Sequence, residues 1–160
     1  MDTHIFLWIK KAALMKMSVI CLLIALLVPC IAKADTSFIG TIKTTKGDVT
    51  VIRSAGQTPG HVGDKLYPAD VLQTGTNSST GIIFEDNTVL SLGSDTEIII
   101  SDYVFAPEKG LFSMVIQMIK GTASYLSGII GKQSPETVEF HTPDATINIR
   151  GTQFLVKVEI

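Results

Sequence analysis

The stretch "STGIIFEDNTVLSLG" (residues 79–93) decides the class of fold. Ile82 and Phe84 stand two positions apart, and so do Leu90 and Leu92. That alternation places each pair on one face of an extended chain. Between the pairs lie Asp86 and Asn87, whose short polar side chains bond the local backbone and favour turns. The stretch therefore reads as a β-hairpin, with all four apolar side chains on a common face.

Similar sequence continues on both sides. Gly, Asn, Asp and Pro recur at short intervals, and the runs between them are rich in Ile, Val and Thr, as strands require. Residues 38–53, "FIGTIKTTKGDVTVIR", give two short strands about Lys46-Gly47-Asp48. Residues 54–70 read as a loop with one short extended piece. "TEIIISDYVF" (96–105) is apolar on both faces, which predicts a strand in the middle of the structure. "KGLFSMVIQMIKG" (109–121) fits a three-turn helix through Leu111, Met114, Val115 and Met118, and a strand through Phe112, Met114, Ile116 and Met118. Glycines at both ends and the β-branched pair Val115-Ile116 favour the strand. The expected fold is all-β.

The last run, "DATINIRGTQFLVKV" (144–158), changes parity. Ile147 and Ile149 occupy odd positions, whereas Phe154, Val156 and Val158 occupy even ones. A face flip needs an odd residue, so a bulge centred on Gly151 is expected. It would aim Arg150, either as a brace to backbone carbonyls, Asp144 or Asp102, or toward a partner's carboxylate or phosphate.

The N-terminal segment is of another kind. Lys10, Lys11 and Lys16 precede "MSVICLLIALLVPCIA" (17–32), and Ala32-Lys33-Ala34 follows. A basic region, an apolar region and a small-residue cleavage site read as a secretory signal peptide over residues 1–34, cut after Ala34. Met15 and Met17 are alternative starts. The rival readings fit less well: the run is short and carries Pro29, against a membrane anchor, and Pro29 before Cys30 is a poor lipoprotein signal.

Residues 35–160 then form one exported domain with no membrane span. Both cysteines, Cys21 and Cys30, fall in the signal segment. Disulfides and thiolate chemistry are therefore excluded downstream. Four of the 13 basic residues and one of the 15 acidic residues also fall there, so the remainder stands near −5. Without a basic block, nucleic acid is not an expected partner.

Taken in order, Gly63-Asp64, Thr74-Gly75, Ile82 to Phe84, Asp86-Asn87-Thr88, Leu90 to Leu92, Thr142-Pro143 and Arg150-Gly151-Thr152-Gln153-Phe154 resemble the FecR-like periplasmic domain, over about residues 40–158. Asp86-Asn87-Thr88 replaces the family's usual Asp-Gly-Ser, and Ala69-Asp70 stands where a second Gly-Asp is common. The resemblance implies short β coils in an irregular solenoid-like or roll-like stack, with a small sandwich or barrel as the alternative. It also implies the periplasm or cell surface, and a sensor or scaffold component of envelope signalling. Iron sensors of the family carry an anti-sigma segment, a spanning helix and a further subdomain. None of these is in this sequence, so transmembrane signalling by this chain alone is not implied.

Catalytic patterns are missing: there is no nucleophile elbow, phosphate-cradling loop or H-E-x-x-H. His61 and His141 lack ligand spacing, so no metal or cofactor is expected. Asp86, Asp95, Glu97 and Asp102 read as turn and solvated-face residues rather than a glycosidase pair. The expected role is non-catalytic binding of a protein partner in the cell envelope through exposed strand edges. Cell-wall glycan is the alternative ligand, stacking on Tyr67, Tyr103 or Tyr125, although such side chains more often lie half-buried with the hydroxyl satisfied.

Overall fold

One long strand organises everything else. The computed structural model describes residues 37–149 and 151–159. Its central element is β9 (Leu111–Leu126), the segment whose alternation predicts a strand, and a strand of 16 residues is what forms.

Two sheets share β9. On one side its N-terminal part pairs antiparallel with β8 (Glu97–Ala106), which continues through β5 (Val71–Thr74) and β2 (Val49–Arg53) to β3 (Gly56–Pro59). Its other neighbour there is β10 (Val138–His141), in the sole parallel pairing among the described residues, and β10 carries β11 (Thr146–Asn148). The C-terminal part pairs with β7 (Val89–Leu92) and β12 (Gln153–Val158). From β7 the second sheet runs through β6 (Ser79–Phe84) and β1 (Gly40–Lys46) to the two-residue β4 (Lys65–Leu66). The result is the expected all-β fold, a curled, half-barrel-like and mostly antiparallel sheet. Its one α-helix among the described residues is α1 (Ile129–Gln133).

Parity arithmetic explains the curl. In β8, Ile98 and Ile100 face the core from even positions, whereas Tyr103 and Phe105 pack against it from odd ones. The ladder with β9 slips between Ile100 and Asp102, which leaves Ser101 as the extra residue of a bulge. β9 flips likewise, from Met114, Ile116 and Met118 to Ala123 and Tyr125. Its switch falls at Ile119, the extra residue where the same ladder slips between Glu97 and Ile98. Two positions on, Gly121 has φ of +98° and stands where β9 leaves one sheet for the other. A Cβ at Gly121 would collide with the Thr96 backbone and side chain, so this crossing demands glycine.

The final segment differs from expectation. The parity flip is real, but it is not a bulge inside one strand. β11 and β12 are separate strands of different sheets, joined by a short bent connection. A Cβ at Gly151 would meet open space. Arg150 lies outside the described residues. So do residues 1–34, and with them the signal-peptide reading. Residues 54–70 hold two short strands, β3 and β4, rather than one extended piece.

Inside the curl, Ile42, Leu66, Leu72, Ile82, Leu90 and Ile98 are fully buried. Each such side chain contributes about 1.5–3 kcal/mol relative to exposure. Tyr125, Phe140 and Phe154 close one end with ring centroids 4.9–5.7 Å apart.

Candidate functional site

Three places gather polar chemistry, and they differ in what remains open to a ligand.

The first is a pair of related turns. His61-Val62-Gly63-Asp64 and Tyr67-Pro68-Ala69-Asp70 each close with a backbone bond of 3.1 Å from the last N–H to the first carbonyl. Both third positions have positive φ, +97° at Gly63 and +67° at Ala69, as a type II turn requires. In both, the Asp carboxylate accepts the backbone N–H three residues back, at 2.8 Å from His61 and 2.9 Å from Tyr67. Asp70 is buried and also accepts Arg53, from Nε to Oδ1 at 2.8 Å and from Nη2 to Oδ2 at 2.9 Å. The hydrogen bond to Asp70, more than any other contact, raises the Arg53 pKa. Tyr67 is half-buried, with the Arg53 guanidinium 5.2 Å from its ring centroid.

A second cluster surrounds the hairpin turn. Asp86, expected on a solvated turn, is fully buried. Asn87 supplies the left-handed corner with φ of +64°, which is why Asn serves where the family uses Gly. The Asp86 carboxylate accepts four donors: Thr88 N at 3.1 Å, Thr88 Oγ1 at 2.7 Å, Tyr103 Oη at 3.3 Å and Ile130 N at 3.1 Å. That fills the roughly four lone-pair sites of a carboxylate. With no vacancy, Asp86 cannot serve as base, nucleophile or metal ligand. Two backbone N–H groups seal the cluster: Ile129 N donates to Asp86 O at 2.7 Å, and Gly128 N to the Thr88 side-chain Oγ1 at 3.0 Å. No Cβ fits at Gly128, because it would strike the backbone of Asp86 and Thr88.

Tyr103 is half-buried here. Its ring stacks on Phe84 at 5.5 Å, and its hydroxyl accepts the Asp86 N–H at 2.9 Å. Burial, reinforced by the Asp86 charge, pushes its pKa well above the usual tyrosine range. Tyr125 is fully buried, so it presents no ring face to a glycan, and its place among the binding candidates is corrected. Burial raises its pKa too. Its hydroxyl makes no hydrogen bond among the described residues. The nearby hydroxyls of Ser127 and Thr88 donate instead to Gly151 O and to Asp86.

The other motif residues bond their neighbours in the fold. Thr74 Oγ1 donates to Gly93 O at 2.5 Å and accepts Thr96 N at 2.9 Å. Gly75 N donates to Asp48 O at 2.9 Å. Thr142-Pro143 opens the turn from β10 to β11, with Thr142 Oγ1 accepting Ala145 N at 3.1 Å. Gly151 O and Thr152 O accept Ser127 Oγ and Ser127 N, each at 2.8 Å. Phe154 is half-buried against Tyr125 and Phe140. The remaining carboxylates do not converge: Asp95 bonds Thr76 Oγ1 and Asp102 bonds Ser113 Oγ. His61 lies near Asp64 and His141 near Glu139. Among the described residues no group of three His, Cys, Asp or Glu side chains is placed to hold a metal.

Strand edges are the third place. Among the described residues β3, β4, β11 and β12 each have a neighbour on one side only. β3 is blunted by Gly56 and Pro59, and β4 and β11 are short. β12 is six residues long, with Leu155 70% exposed on its outer face. Ile147, Ile149, Phe154 and Val156 line a groove between β11 and β12.

The buried carboxylates are thus occupied internally, and the sheets end on strands with a neighbour on one side only among the described residues. The family model described as "FecR protein" matches residues 70–159, more than half of the chain. This chain belongs to that family, whose domains are regulatory, act in signalling and are typically associated with the cell envelope. No curated protein and no solved structure matches it. The matched region begins at Asp70, so Gly63-Asp64 lies outside it. No helix among the described residues is long and apolar enough to cross a membrane.

Proposed function

We propose that this chain is an exported, non-catalytic interaction module of envelope signalling, which meets a separately encoded protein through its open strand edges. One observation carries the reading: each sheet ends on strands with backbone groups left unpaired among the described residues, while the buried carboxylates are occupied internally. An extended segment of a partner gains main-chain hydrogen bonds at such an edge.

A photo-crosslinking group at Asn148 on β11 or Gln57 on β3 tests this in cells exporting the full chain. The expected result is an adduct with an envelope protein from an edge position, and none from Glu108 in the β8–β9 turn. Retention on purified cell-wall sacculi that Tyr67→Ala abolishes, with no protein adduct, would overturn it in favour of glycan binding.

A further inference from the structure

β12 differs from the other edges in length and in what it exposes. Its register with β9 sets Leu155 opposite Ser124 and Gln153 opposite Leu126. Leu155 and Leu126 are therefore diagonal neighbours on the outer face, within reach of each other. They are 70% and 45% exposed, two of the four exposed large apolar side chains among the described residues. On the inner face Phe154 and Val158 pack against the core and Val156 is buried in it.

We propose that two copies of this chain pair edge to edge, β12 against β12, antiparallel about a two-fold axis at Leu155. This rests on the reading of strand edges as interfaces, and it names the occupant of this one as a second copy. The β12 edge is self-complementary, as a two-fold contact requires. Centred at Leu155, the pairing sets Leu155 against itself, Phe154 against Val156 and Gln153 against Lys157. Inner-face apolar residues meet apolar residues, and no like charges face each other. Leu126 of each copy then extends the central leucine pair into one apolar stripe across the joined outer face. Other centres fit less well. At Lys157 two lysines would oppose each other, and at Val156 Leu155 would face Lys157. The contact is one strand wide, below the size of a standard stable interface, so the dimer is weak and concentration-dependent.

Oxidative crosslinking of the purified full chain tests this, against the background of its two native cysteines. Residues directly opposite on antiparallel strands have Cα atoms about 4.5–5.5 Å apart, within disulfide range. Leu155→Cys should form a covalent dimer at least tenfold faster than Lys157→Cys alone. A mixture of Gln153→Cys and Lys157→Cys chains should join as Leu155→Cys does. Leu155→Asp should weaken sedimentation dimers at least tenfold with an unchanged circular dichroism spectrum, because the site is exposed. A wild-type chain that stays monomeric at millimolar concentration overturns the pairing, as does Leu155→Cys crosslinking no faster than Lys157→Cys. A monomer that still yields an envelope adduct at Asn148 sinks the pairing alone. A dimer without any adduct sinks the envelope-partner reading alone.

Discussion

Arg53 grips Asp70 with two prongs, Nε to Oδ1 at 2.8 Å and Nη2 to Oδ2 at 2.9 Å. The same Nη2 donates to Lys65 O at 2.7 Å, which ties β2, β4 and the Tyr67–Asp70 turn together. Asp70 is 2% exposed, so loss of the guanidinium strands a charge. Arg53→Ala should cost about 3 kcal/mol, read as a lower urea midpoint with an unchanged slope. Arg53→Lys should recover only part of this, because an ammonium cannot reproduce the fork. Equal stability of wild type and Arg53→Ala would show that the pair contributes nothing.

Ala69 sits at φ of +67°, a region that penalises any side chain with a Cβ. The cost there is about 1–2 kcal/mol, partly offset by the greater freedom of glycine in the unfolded chain. Ala69→Gly should therefore stabilise the fold by about 0.5–1 kcal/mol and raise Tm. A lower melting temperature would refute the assignment of strain to this turn.

Tyr103, half-buried, and Tyr125, fully buried, are phenols with opposite dependencies. Tyr103→Phe leaves the Asp86 N–H without its acceptor and should cost about 1–3 kcal/mol. Tyr125→Phe removes a hydroxyl with no hydrogen bond among the described residues, and should change stability by under about 1 kcal/mol, or increase it. Chemical denaturation of the two variants checks the contrast.

These raised tyrosine pKa values fix the sign of the alkaline response. Unfolded tyrosine ionises near pH 10, whereas the native state keeps both hydroxyls protonated to higher pH. Their contribution is fully present below about pH 10 and is lost as pH rises above it, because the unfolded state then binds fewer protons. Stability should therefore fall above pH 10. Phenolate absorbance from Tyr103 and Tyr125 should appear together with unfolding, not before it. A smooth titration of Tyr103 and Tyr125 in the folded protein would contradict this.

Legibility in the sequence followed locality. The 79–93 hairpin and the strand nature of β9 show in period-two alternation, because each answers to neighbours a few positions away. Parity does flip across 147–158, yet two strands joined by a short bend leave the same trace as one bulged strand. Ser101 carried a true bulge that the doubly apolar run around it concealed. Arg53 and Asp70 are 17 residues apart, with no pattern to link them. Asp86 resembles any turn aspartate, since the donor that helps bury it, Ile130 N, arrives from 44 residues on. Tyrosine burial likewise depends on strand partners that no local spacing reveals.

Because β9 belongs to both sheets, neither can come apart without stripping the other of a central member. Amide exchange along β9 should be slow on both sides of Gly121 and should report one shared opening event. Tension applied at either sheet margin would thus reach the opposite one through a single continuous backbone, which ties the fate of the far edges to each other.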